Sequence, residues 1–115
     1  MTVTHHNSGE ILSHATVHGG IVYLCGLTAG DAGDDVKAQT VAVLAEIDNR
    51  LAKYGSDKSR ILMCTIYLTD MNNKGPMNEA WTDWLGDTER PARACVGTDL
   101  APGVLVEIVV NAAQS

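Results

Sequence analysis

Two charged residues stand in stretches where charge is least welcome. Arg93 lies in Pro91-Ala92-Arg93-Ala94-Cys95-Val96, and Glu107 lies in Val104-Leu105-Val106-Glu107-Ile108-Val109-Val110. A guanidinium presents a planar fork of donors that matches a carboxylate with two parallel, charge-assisted hydrogen bonds. A carboxylate in partly apolar surroundings can take up and return a proton. The two residues therefore suit the binding of a small anion and proton transfer beside it. They equally suit a structural ion pair, because a lone buried charge is costly unless partnered.

Both stretches read as strands, Ala92–Val96 and Val104–Ala112, joined by a loop carrying Gly97, Pro102 and Gly103. Val104–Val110 is apolar on both faces, as a strand covered on both sides would be. Alternation along a strand puts Arg93 and Cys95 on one face, and Leu105, Glu107 and Val109 on one face of the other. A hairpin centred near Leu100 would set Arg93 opposite Glu107. Without that hairpin, each charge needs a partner elsewhere, for instance on another subunit.

The remaining elements follow from pattern. Met1–Gly9 is polar and reads as an arm or first edge strand. Gly19-Gly20 forms a turn between strands Ile11–His18 and Ile21–Cys25. Gly30, Asp31, Gly33, Asp34 and Asp35 form a loop running into a helix N-terminus, where aspartates suit the helix dipole. That helix spans Asp35 to Tyr54, with Val41, Leu44, Ile47, Leu51 and Tyr54 as its apolar stripe and Gly55 as a left-handed cap. Ile61–Leu68 is a central strand. Asp70 or Asn72 caps a second helix whose apolar face is Met77, Ala80, Trp81, Trp84 and Leu85, and which stops at Gly86. The order is β-β-α-β-α-β-β, an α/β (α+β) layer fold forming a single domain over residues 1–115.

Composition narrows the function classes. The chain has 115 residues, 45% hydrophobic and 19% charged, with a net charge of −6. Eight Lys and Arg form no basic stripe, which argues against nucleic acid as a partner. No apolar run reaches the ~20 residues needed to cross a bilayer, and the first residues lack the pattern of a secretory leader. Cys25, Cys64 and Cys95 are odd in number and widely spaced, as reduced thiols of a cytoplasmic protein would be. The adjacent His5 and His6 would point to opposite faces of a strand, so no metal site is expected. No Gly-rich phosphate loop is present, and no cofactor is expected.

Arg90-Pro91-Ala92-Arg93-Ala94-Cys95-Val96, the turn Leu100-x-Pro102, and Val106-Glu107-Ile108 resemble the C-terminal signature of the YjgF/RidA family. The resemblance extends over nearly the whole chain. It implies a chorismate-mutase-like mixed sheet with two helices on one face, assembled as a homotrimer with ligand clefts between subunits. In that fold the last two strands are not neighbours, so Arg93 and Glu107 would meet at a cleft. Many members hydrolyse 2-imino acids to 2-oxo acids and ammonia, which implies a small-molecule carboxylate substrate. Arg93 and Glu107 are then the expected catalytic pair, with Cys25, Gly26, Asn78 and Cys95 lining the site. Two departures stand out: Ile11-Leu12-Ser13-His14 occupies the place of a Gly-Pro-Tyr typical of deaminating members, and Cys25 replaces a hydroxyl residue before Gly26. Three rivals follow from the same residues. A non-enzymatic trimer binding small carboxylates would need Arg93 alone. Ribonuclease or translation-inhibitor activity, attributed to some relatives, sits poorly with the acidic composition. A thiol mechanism through Cys95 is unnecessary, since imine hydrolysis requires no covalent intermediate.

Overall fold

A computed structural model describes residues 2–115, so Met1 of the polar N-terminal segment lies outside the described residues. Its strands are β1 (Thr4–His6), β2 (Ala15–His18), β3 (Ile21–Leu24), β4 (Leu27–Thr28), β5 (Ile61–Leu68), β6 (Ala92–Gly97) and β7 (Val106–Ala113), with helices α1 (Val36–Lys53) and α2 (Lys74–Leu85). The expected order is present, with two short strands, β1 and β4, added to it. One mixed sheet runs β1-β2-β3-β7-β5-β6, and β4 pairs with β7 beside β3.

The sheet decides against the hairpin and for the arrangement the resemblance implies. β6 and β7 are not neighbours: β5 lies between them, parallel to β6 and antiparallel to β7. The crossover from β5 to β6 is made by α2, as a parallel pair requires. The first strands are also shorter than their pattern suggested. β2 begins at Ala15, because Gly9–Leu12 closes a turn through a Gly9 N–H to Leu12 carbonyl bond of 2.8 Å. The turn at Gly19-Gly20 is as expected, with φ of 60° and 78° at the two glycines and His18 paired with Ile21.

Both helices cover one face of the sheet. Strand alternation sends Val22, Leu24, Cys64, Ile66, Leu68, Val106, Ile108, Val110 and Ala112 into that layer, where Leu44, Ile47, Leu51, Met77, Trp81 and Leu85 meet them. Burying each large aliphatic side chain contributes roughly 1.5–3 kcal/mol. Val41, expected in the stripe of α1, is instead 54% exposed; Val36, Gln39, Thr40 and Val43 complete the buried face. α1 starts at an Asp35 cap, whose Oδ1 accepts the Lys37 N–H. It ends in a Schellman motif, with Ser56 N–H on the Leu51 carbonyl and Gly55, at φ 79°, turning the chain. Asp70 caps a short 3-10 turn, Met71–Asn73, rather than α2 itself.

One buried polar side chain sets where β7 begins. Gln39 is fully buried, yet all its bonding capacity toward the chain is used. Its Nε2 donates to the carbonyls of Gly33 (2.7 Å) and Gly103 (3.0 Å), and its Oε1 accepts the Leu105 N–H (2.9 Å). The amide thus ties α1 to the residues just before Glu107. A buried amide is tolerated when satisfied in this way.

The opposite face of the sheet carries no helix. Tyr23, Thr65, Tyr67, Ala94, Val96, Glu107 and Val109 lie on it by register, and Tyr23 and Val96 are exposed.

Candidate functional site

Arg93 and Glu107 point to opposite faces of the sheet. Arg93 pairs in register with Cys64, whose side chain is buried on the helix side, whereas Glu107 pairs with Tyr67 and Thr28 on the open side. No ion pair forms between them, and neither belongs to any salt bridge among the described residues. Within one chain the structural ion-pair reading therefore fails.

Arg93 is held as a half-buried cation with a free edge. Its Nη1 donates to Asn78 Oδ1 at 2.7 Å and approaches Met77 Sδ at 4.0 Å, while its guanidinium carbon lies 5.2 Å from the Trp81 ring centroid. Asn78 and Trp81 sit three residues apart on α2 and so present one face to β6. The amide oxygen fixes the plane of the fork, and the indole face stabilises its charge. Nε and Nη2 meet no acceptor among the described residues and are not sealed from solvent. Its own chain supplies no carboxylate to this edge among the described residues. Beneath it, burial pushes the Cys64 thiol up to about 12, against an opposing pull from the Arg93 charge, so Cys64 stays a neutral thiol. Cys95, two residues along β6, is half-buried on the same face as Arg93.

Glu107 sits on the open face near the break between β3 and β4. Those two strands both run along β7, and the chain is interrupted between them at Cys25-Gly26. Gly26 lies against the Glu107 carboxylate: a Cβ there would meet Oε2, the mobile end of that side chain, and lie 3.1 Å from Cδ, so a larger residue would turn the carboxylate aside. Cys25 is half-buried beside it, and its N–H donates to the His14 carbonyl at 3.0 Å, which brings His14 to the same corner. Among the described residues no group of three or more His, Cys, Asp or Glu side chains could hold a metal ion.

A single chain thus carries two half-sites. One is Arg93 with Asn78, Trp81 and Cys95; the other is Glu107 with Gly26 and Cys25.

A family model described as "Endoribonuclease L-PSP" matches residues 6–114. A RutC family protein from Haemophilus ducreyi is 44% identical over 102 residues, covering 88% of this chain and 87% of its own. The RutC family protein YoaB of Escherichia coli is 37% identical over 115 residues, 98% of this chain and 99% of that one. Among solved structures, a Neisseria meningitidis member of the YjgF protein family superposes with a TM-score of 0.94 at 37% identity, covering 100% of this chain and 97% of the other. The chain belongs to the YjgF/RidA family.

Of the YjgF/RidA residues expected to share one site, Arg93, Asn78 and Cys95 lie on the helix side and Glu107, Gly26 and Cys25 lie together elsewhere, so one chain does not bring the two groups into contact. Trp81 beside Arg93, and Thr28 and Tyr67 beside Glu107, are neighbours that the sequence pattern does not single out. Trp81 was findable as the residue one turn beyond Asn78. Tyr67 was hidden, since its strand reads as apolar on both faces.

The contact between Gly26 and Glu107 yields a direct expectation. Gly26→Ala should cost less than about 1 kcal/mol, because the carboxylate end of Glu107 can swing aside, and that cost should vanish in a Glu107→Ala background. Thermal or urea melting of the two single variants and the double variant measures that coupling. Equal costs in both backgrounds would mean that Gly26 is needed for some other reason.

Proposed function

We propose that this protein hydrolyses small 2-imino acids to 2-oxo acids and ammonia, at sites built where the Arg93 half of one subunit meets the Glu107 half of another in a homotrimer. The observation that carries the reading is the free N–H edge of Arg93, oriented by Asn78 and Trp81 and without a carboxylate in its own chain. A 2-imino acid carries the carboxylate that fork would bind, and next to it the electrophilic carbon of a protonated C=N bond. Water adds to that carbon while Glu107 accepts its proton. The same proton passes to the nitrogen of the resulting carbinolamine; Glu107 then takes the hydroxyl proton as the carbonyl forms and the C–N bond breaks, and hands it to the departing ammonia, which leaves as ammonium. One water is consumed, and neither a covalent intermediate nor a redox step is needed.

The assembly follows from the bare face of the sheet. Tyr23, Val96 and Val109 would leave an apolar patch if the chain stayed alone, and such patches mark contact surfaces. Arg93 lies on β6, the edge strand of the sheet, so a neighbour that meets this face with its β6 edge would set its Arg93 half near Glu107, and the family resemblance gives three as the number of copies. Light scattering is expected to give roughly three times the chain mass of 12.2 kDa. A stable monomer at micromolar concentration would remove both the assembly and the composite site.

Mixing subunits tests activity and architecture together. Arg93→Ala and Glu107→Gln chains should each be nearly inactive alone. Unfolded together in equal amounts and reassembled, they should recover about a quarter of wild-type activity, because one site in four then combines two intact halves. A site contained within a single subunit would recover nothing.

The names of some relatives speak of endoribonuclease and translation inhibition. Phosphate backbones are held by clustered Lys and Arg, whereas this chain carries a net charge of −6, so RNA is not the substrate class we propose.

A further inference from the structure

We infer a second small-molecule site on the outer, helical side of the protein, in the seam between α1 and α2, that takes an organic ammonium with an apolar body. The seam holds a groove of about 300 Å³ lined by Val41, Ala45 and Asp48 of α1 and by Ala80, Asp83 and Trp84 of α2. It exists because alanines stand at positions 45 and 80, where larger side chains would fill the space between the helices. Val41, which helical periodicity assigned to the core, is 54% exposed here and forms a wall of the groove. Exposed valine at a helix seam gains nothing from water, and an apolar ligand would cover it.

The far end of the groove is preorganised. The Trp84 indole is fixed from two directions: its Nε1 donates to Asp48 Oδ2 at 2.9 Å, and Lys58 Nζ lies 5.4 Å from a ring centroid while bonding the Trp84 carbonyl at 2.6 Å. Asp48 keeps its second oxygen free of partners among the described residues. Asp83, on the facing helix, is in no salt bridge there. One carboxylate from each helix therefore borders the same apolar trough. Lys37, one turn before Val41, is already committed to Glu79 at 3.1 Å. Lys58, over the outer face of Trp84, offsets one of the two carboxylates, so the groove keeps a surplus of about one negative charge, opposite in sign to what Arg93 offers. A complementary ligand places its ammonium between Asp48 and Asp83 and its hydrocarbon along Val41, Ala45 and Ala80. The volume admits roughly ten non-hydrogen atoms, the size of an arylalkyl amine or a short alkyl amine.

Titration of the folded protein with phenethylammonium chloride, followed by NMR through the indole N–H signals, tests this. The Trp84 signal is assigned by its loss in Trp84→Phe. That signal is expected to shift saturably, with a dissociation constant on the order of 0.1–1 mM, while the Trp81 signal moves far less. The uncharged phenethyl alcohol and the anionic 3-phenylpropionate should bind at least about tenfold more weakly at this groove. Asp48→Asn with Asp83→Asn, which keeps the acceptor for the indole, should weaken the ammonium by about tenfold. Ala45→Leu, a change at an exposed position that fills the trough, should abolish the shift with the rest of the spectrum intact. Absence of saturation, equal binding of alcohol and ammonium, or insensitivity to Ala45→Leu would each overturn the inference. The groove shares no residue with the Arg93 and Glu107 half-sites, so a protein inactive on imines would still bind the probe, and an active one could fail to.

Discussion

Glu107→Gln is expected to lower turnover of 2-imino acids roughly 10²–10⁴-fold while changing 2-oxo acid binding little. Glutamine keeps the size of the side chain and an acceptor oxygen above Gly26, but it cannot take a proton from water. The substitution should also leave the fold intact. Glu107 has no salt bridge to lose among the described residues, and its face of the sheet is not the helix-packed core. Had Glu107 belonged to a buried ion pair, removing its charge would cost on the order of 3–5 kcal/mol. A melting temperature within a few degrees of wild type, together with a large fall in turnover, separates the two roles. A variant that melted far earlier and kept its activity per folded molecule would show that Glu107 is structural.

The second large effect is at Arg93. Arg93→Lys preserves the charge but removes the fork, the contact with Asn78 in its present geometry, and the broad face laid on Trp81. A 2-oxo acid should then bind more weakly by about 1.5–3 kcal/mol, roughly 10- to 150-fold. Asn78→Ala should reproduce part of that loss, because the guanidinium remains but nothing orients its Nη1. Isothermal titration with a small 2-oxo acid measures both. If Lys and Arg bound the acid equally, the free edge of Arg93 would not be the carboxylate seat. If Arg93→Lys lost binding in a wild-type background that shows no turnover, a carboxylate-binding role without catalysis would take the place of the deaminase.

The parts of this architecture legible in the sequence are those set by local physics. Continuous apolar runs mark β5 and β7, and period-two alternation puts Arg93 with Cys95, and Glu107 with Val109, on shared faces as the register has them. The Asp35 cap and Gly55 bounded α1 to within a residue. What local pattern could not reveal was which strands are neighbours. Two strands separated by a glycine-containing loop read as a hairpin, yet β5, some thirty residues upstream, inserts between them. That insertion, rather than any residue identity, decides that Arg93 and Glu107 cannot pair in one chain. Gln39 was equally hidden, because a glutamine on a helix looks like surface until the Gly33 and Gly103 carbonyls that satisfy it are brought together. Val41 fits the apolar period of α1 but lies just beyond the arc the sheet can cover, which leaves it on the outer groove. Around the site, Asn78 came from resemblance alone, and the role of Trp81 needed the approach of β6 to α2.

The reading rests most heavily on chemistry at the carbon next to a carboxylate. An amino-acid oxidase acting on several small amino acids generates 2-imino acids in place, and their decay to 2-oxo acid and ammonia proceeds slowly without help. Added wild-type protein is expected to speed ammonia release in proportion to its concentration, and the Glu107→Gln protein to leave the uncatalysed rate nearly unchanged. No acceleration by the wild-type protein with any of those side chains would contradict the proposed activity.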